Sequence, residues 1–216
     1  MVKGRAPTRP ERIADTVVHA VGLACGLAAC IALAVVAVPA GDAQLDVALA
    51  VYGAGLMTML GCSAAYNLSR SPRRKRWLRR IDHAAIFVMI AGTYTPFAMI
   101  SLPGPWGWGL LGFVWTIALA GVAAKLFLAE RFERWSVPAY LLLGWTVLVA
   151  LEPLLSAVSM AGLLLLGIGG LLYTVGVLFY RWERLPFQTA IWHVFVLAAA
   201  ACHFSAVLGD VALAAI

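Results

Sequence analysis

Charge is scarce in this sequence. Only 12% of its 216 residues are Asp, Glu, Lys or Arg, about half the share a soluble domain carries. That scarcity excludes an ordinary water-soluble enzyme or carrier. Lysine is rarer still: Lys3, Lys75 and Lys125 are the only three. None falls in the last apolar run, which excludes a retinal-type Schiff base there. The four cysteines, Cys25, Cys30, Cys62 and Cys202, include no CxxC pair and all lie within apolar runs, so no disulfide framework is expected. The short alternating segments of a membrane barrel are also missing. So are the short apolar core and small-residue cleavage pattern of a signal peptide.

What fills the chain is apolar. Hydrophobic residues make up 63% of it, and the mean hydropathy is +0.91. Seven runs, at 15–38, 45–67, 82–102, 107–128, 136–155, 158–180 and 187–209, approach the ~20 residues a helix needs to cross a bilayer. Leu, Ala, Val and Gly dominate each run. In lipid, a backbone must satisfy its own polar groups, which selects helix. The expected fold is therefore all-α: an integral membrane bundle of seven transmembrane helices spanning 15–216, preceded by a basic cytoplasmic segment at 1–14.

The basic residues orient the bundle. Lys3, Arg5, Arg9 and Arg12 precede the first run. Seven more, in "RSPRRKRWLRR", separate the second and third runs. Lys125 at the end of the fourth run is followed by Arg131 and Arg134 in the link to the fifth, and Arg181 and Arg184 lie between the sixth and seventh. The other links, "PAGDAQ", "SLPGPWG" and "LLSAVSM", have none, nor does the tail. Alternate links are thus basic, and the positive-inside rule places the amino terminus in the cytoplasm and the carboxyl terminus outside. The expected location is the inner (plasma) membrane, multi-pass. This topology accounts for the net charge of +6 without a nucleic-acid partner. Membrane lipids are the expected partners, because each basic residue near an anionic surface adds about 1 kcal/mol of attraction.

Ionisable groups at membrane depth are expensive, so each is a candidate for function. Asp15 and His19 are four apart in the first run, Ser63 and Asn67 four apart at the end of the second, and Thr189 and His193 four apart early in the seventh. Each pair shares a helix face. Asp82 and His83 open the third run. With the topology above, four helices bring polar groups to one depth. The bland readings are a hydrogen-bonding histidine at a helix end, and carboxylates at Asp15 and Asp82 capping free N–H groups. His203 lies ten residues past His193, about 15 Å deeper, too far for the same site. Glu152, just before Pro153, is given no role. "GLACG" at 22–26 and "GIGG" at 167–170 suggest close helix contact.

Four stretches carry a resemblance. "ERIADTVVHAVG" at 11–22, "SAAYNL" at 63–68, "DHAAIFVMIAGTYTPF" at 82–97 and "IWHVFVLAAAACHF" at 191–204 resemble the motifs of the hemolysin III family, the bacterial branch of the progestin and adipoQ receptor family. The third match is the most specific. The resemblance implies seven spans and a zinc site near the cytoplasmic face. That site would take one histidine ending span two and two histidines four apart in span seven. The span-two serine, here Ser63, and the span-three aspartate, here Asp82, would hold a metal-bound water. The wider superfamily includes metal-dependent ceramidases, so hydrolysis of a lipid amide is the implied chemistry.

The sequence departs from that pattern at two of the three ligand positions, which hold Asn67 and Thr189. Neither offers an imidazole or an anionic donor. Only His193 remains, with Asp82 beside it, and catalytic zinc normally has three protein ligands. Tight zinc would need recruits, from His19, His83 or Cys62. Three readings follow. One is a protein of membrane lipid homeostasis or sensing with a degenerate zinc site, in which Asn67, Thr189, His193 and Asp82 form a hydrogen-bonded knot. Another is a metal-dependent hydrolase of a lipid amide or ester, with Asp82 and Ser63 in catalytic roles and His193 on the metal. The third is a pore or transporter, which lacks the paired broken helices such folds show.

Overall fold

The computed structural model describes residues 7–102 and 104–215; Lys3 and Arg5 of the expected basic segment lie outside the described residues. Seven helical stretches among them are long and apolar enough to cross a membrane. They comprise α1 (Arg9–Ala40), α2 (Ala43–Leu68), α3 (Pro72–Pro96), α4 (Gly104–Phe127), α5 (Ala129–Gly144) with α6 (Leu151–Ala157), α7 (Met160–Arg181) and α8 (Gln188–Val207). No strand occurs among the described residues. The protein is an all-α seven-helix membrane bundle, and the basic segments all fall at one end of it, termed here the basic end.

Local chemistry fixes where the helices start. At α1, the Glu11 carboxylate accepts from the Thr8 backbone N–H at 2.7 Å and from its hydroxyl at 2.9 Å, and Pro10 sits in the first turn. The Asp42 carboxylate caps α2 by accepting from the N–H groups of Gln44 and Leu45. The Ser159 hydroxyl accepts from Gly162 N–H at α7. Each cap satisfies donors that a helix start leaves free. Two boundaries differ from expectation. α1 begins at Arg9, so residues 9–14 belong to the first helix. α3 begins at Pro72, so the arginine-rich stretch is helix and not a loop. Asp82 therefore sits in the eleventh position of α3, and Asp15 in the seventh of α1. Neither caps a helix, which corrects that reading of both carboxylates.

α3 is the most buried span, held between α2 and α4. α2 and α3 meet closely because two glycines face each other: a Cβ on Gly55 would lie 3.4 Å from the Val88 carbonyl oxygen, and one on Gly92 3.4 Å from that of Val51. In lipid such packing, rather than escape from water, drives helix association. The core around it includes Tyr52, Leu56, Phe87, Val114 and Val207, all essentially inaccessible. The outer face of α1, from Ile13 through Val21 and Ile31 to Val38, is exposed and apolar, as a lipid-facing surface must be. "GLACG" makes contact as expected, with Gly22 against Leu197 and Gly26 against Leu60. In "GIGG", Gly169 faces His203 and Gly170 faces Trp145, while Gly167 meets nothing.

Span five is broken. Between α5 and α6, Trp145–Ala150 tightens into 3-10 geometry. Tyr94, from α3, serves the freed groups: its hydroxyl accepts from Val147 N–H at 2.7 Å and faces the carbonyls of Gly144 at 2.7 Å and Leu143 at 3.1 Å. Spans three and seven instead end in single wide turns, at Phe97–Ser101 and Leu208–Ala212. The mid-span break has no counterpart in a matching span among the described residues.

Candidate functional site

Two of the converging helices are tied together at their starts. The second oxygen of Glu11 accepts from the Phe187 backbone N–H at 2.9 Å. Phe187 precedes α8 with φ of 58°, a left-handed conformation that costs a non-glycine residue about 1 kcal/mol or more. The turn aims α8 so that His193 faces α1. There, His193 Nδ1 lies 2.7 Å from Asp15 Oδ1. His19, one turn beyond Asp15, places its own Nδ1 2.7 Å from the Asp15 backbone oxygen. The two imidazoles meet edge to face with ring centroids 4.3 Å apart.

Ser63 closes the arrangement from α2. Its Oγ is 3.3 Å from His19 Nε2 and 3.3 Å from His193 Nε2. Asn67 donates its amide to the Ser63 backbone oxygen at 3.0 Å and approaches Oγ at 3.5 Å. Asp82, from α3, lines the same cavity as Ser63 and His193. Helices α1, α2 and α8 meet at the Ser63 hydroxyl. One ligating atom each from Asp15, His19 and His193 lies within 4.8 Å of the others.

Two of the sequence candidates sit elsewhere. Thr189 spends its hydroxyl on the Gln188 side chain, at 3.3 Å, rather than on the knot. His83 follows Asp82, but neighbours on a helix point about 100° apart. It turns to a second cluster, where Arg79 and Lys125 bind Glu133 at 2.5 and 2.9 Å and His83 Nδ1 stands 4.0 Å from the same carboxylate. Asp15 is the partner the sequence reading undervalued. Its spacing of four from His19 was the available signal. The reach to His193, 178 residues away, had none. Cys62 and the other three cysteines are free thiols.

The site opens into a cavity of about 920 Å³ inside the bundle. Ser63, Asp82 and His193 line its basic end, and Leu154 and Leu163 line the far end. His203 lines it midway, donating from Nε2 to the Leu166 carbonyl oxygen at 3.3 Å.

The comparison with known proteins decides the lineage. The profile of the Haemolysin-III related family matches residues 10–204. The chain belongs to the hemolysin III-related family. Hemolysin-3 of Bacillus cereus is 40% identical over 198 residues, covering 92% of this chain and 90% of that relative. The Hemolysin-3 homolog of Bacillus subtilis (strain 168) is 39% identical over 201 residues, covering 93% and 94%. Human monocyte to macrophage differentiation factor is 30% identical over 168 residues, covering 73% and 67%, which places this hemolysin III-related chain in the wider progestin and adipoQ receptor family. No solved structure matches it. The zinc arrangement implied for the family does not fit here as drawn. Asn67 uses its amide N–H groups on Ser63 and Thr189 is engaged with Gln188.

Proposed function

We propose that this hemolysin III-related membrane protein acts in membrane lipid homeostasis or sensing, by admitting the acyl chain of a lipid into the bundle. The observation that carries this reading is the cavity of about 920 Å³, which falls in the size range of small-molecule sites. Its long apolar stretch suits an acyl chain, and its polar end suits an amide, ester or headgroup. The lipid-facing exterior and the alternation of basic segments support a multi-pass protein of the inner membrane with its amino terminus inside the cell. The basic segments at the polar end favour an anionic leaflet. Native mass spectrometry of the full chain, purified in mild detergent, tests the reading. Bound lipid is expected on the wild type. The Val196→Trp variant, which fills the cavity wall one turn from His193, is expected to lose it. Equal lipid on both, or none on the wild type, contradicts it.

A second reading, hydrolysis of a lipid amide or ester, is favoured by the placement of Ser63, Asp82, His19 and His193 at the end of that same cavity. Ser63 and Asp82 would position the substrate carbonyl and a water, and apolar walls would exclude other water. His193, with the neighbouring histidine, would hold a metal. When bound, such a metal supplies Lewis acidity and lowers the pKa of water towards 7. Turnover of a fluorescent ceramide or lipid ester by the wild type, lost in Asp82→Ala and in His193→Ala, is the expected outcome. Absence of turnover in the wild type with added zinc leaves the sensing role and removes the enzyme.

A further inference from the structure

The cavity carries polar groups at mid-depth as well as at its basic end. His203 borders it midway. It lies ten residues beyond His193 on the unbroken helix α8, about 15 Å deeper. Its ring is held from several sides. Nε2 lies 3.3 Å from the Leu166 carbonyl oxygen. Tyr173 stands beside it, with ring centroids 5.6 Å apart. Gly169 leaves the room it occupies, since a Cβ there would overlap the imidazole at Nε2 and Cδ2. A carbonyl oxygen only accepts, so Nε2 carries the hydrogen and Nδ1 is left as a lone-pair acceptor. Nδ1 has no hydrogen-bond partner among the described residues, and protein atoms do not seal it off. The Tyr173 hydroxyl, which lines the same cavity, is in the same state. Thr93, Thr174 and Trp145 also line the cavity, but their polar groups are spent inside the protein. Each threonine donates to a carbonyl of its own helix, and Trp145 donates to Thr174. At membrane depth, an acceptor and a hydroxyl left open in a largely apolar passage are costly without a ligand.

We propose that His203 Nδ1 and the Tyr173 hydroxyl form a second polar subsite, which binds a hydroxyl group carried partway along a lipid's acyl chain. This rests on the reading that the cavity admits such a chain. A hydroxyl matches the pair: its hydrogen goes to Nδ1, and its oxygen accepts from Tyr173. A carboxylate or phosphate has only acceptors to set against the Nδ1 lone pair, and an ammonium would bring a charge to mid-membrane. Depth fixes the place of the hydroxyl on the chain. Three backbone bonds span at most ~3.6 Å, so an extended chain advances about 1.2 Å per bond. A lipid whose polar group sits by Ser63 and His193 therefore brings roughly its twelfth carbon level with His203, about 15 Å away. An unsubstituted chain leaves both protein groups unpaired, and a chain hydroxylated at that depth satisfies both. The subsite thus discriminates between chains, because a site built to bond a hydroxyl rejects the analogue lacking it.

The test is competition, read by native mass spectrometry of the full chain in mild detergent. Octadecanoic acid competes separately with its 12-hydroxy and its 17-hydroxy derivatives. The wild type is expected to favour the 12-hydroxy acid about tenfold, the worth of one or two net hydrogen bonds. No such preference is expected for the 17-hydroxy acid, whose hydroxyl would reach the apolar end. His203→Leu and Tyr173→Phe are each expected to bring the 12-hydroxy and unsubstituted acids to near-equal binding. A monodisperse elution profile and a cooperative thermal melt show that each variant is folded. If His203→Leu fails that control, His203→Phe replaces it. Equal uptake of all three acids by the wild type overturns the subsite and leaves the lipid reading standing. Uptake of none overturns both. A preference that survives in a folded His203 or Tyr173 variant overturns the subsite, as does an equal preference for the 17-hydroxy acid.

Discussion

Two polar clusters sit side by side at the basic end, divided by consecutive residues of α3. On the Asp82 side are Asp15, His19, Ser63 and His193. On the His83 side are Arg79, Lys125 and Glu133. The second cluster balances itself. Glu133 accepts from Arg79 and Lys125 through separate oxygens, and Lys125, though only 1% exposed, lies in the last turn of α4, where the helix dipole favours a cation. Tyr140 closes it by donating to the His83 carbonyl at 2.8 Å. The first cluster is held by contacts of 2.7–3.3 Å among Asp15, His19, Ser63 and His193. Similar depth thus holds an ion-paired fastening in one place and a hydrogen-bonded histidine–serine knot in the other. The difference lies in the partners, two cations on one carboxylate against two imidazoles on one hydroxyl, not in burial.

Breaking the fastening should give the largest effect on stability. Glu133→Ala leaves a buried Lys125 ammonium without its carboxylate. A fully buried pair would lose about 3–5 kcal/mol; Glu133 is 41% exposed, so about 2 kcal/mol is expected. Thermal unfolding in detergent checks this. Tyr94→Phe comes next. It strands the Val147 N–H at the break of span five, for a loss of about 1–2 kcal/mol, read as a lower melting temperature. Asp15→Asn should cost less, about 1 kcal/mol, because the amide oxygen can still accept from His193 Nδ1. Its signature is a small fall in melting temperature. Arg74→Gln, on the exposed start of α3, is expected to stay within about 0.5 kcal/mol. A large effect there would mean the arginine-rich turns make contacts beyond the bundle.

Much of this comparison was readable before any coordinates. Hydropathy alone placed all seven spans, because lipid leaves the backbone few options. Four-residue spacing put Asp15 with His19 and Ser63 with Asn67. Other parts were not readable. The start of α3 was hidden because arginines read as loop by hydropathy, although Ser71 and Pro72 form a helix-start pattern. Asp82 and His83 could not be assigned to separate clusters, since a sequence does not say which face of a fully apolar helix meets which neighbour. Lys125 read as a loop charge, and its burial depends on Glu133, which lies on the next helix. The break at Trp145–Ala150 carries no proline or glycine of its own; it is held by Tyr94, a residue of a different span.

The most direct test of the account is a high-resolution cryo-electron microscopy map of the full chain in nanodiscs made with native lipid. The account predicts elongated density running from the Ser63–His193 end towards Leu154 and Leu163. A bundle collapsed on itself, with Ile90 and Val196 packed against the far wall and no density between, would contradict it.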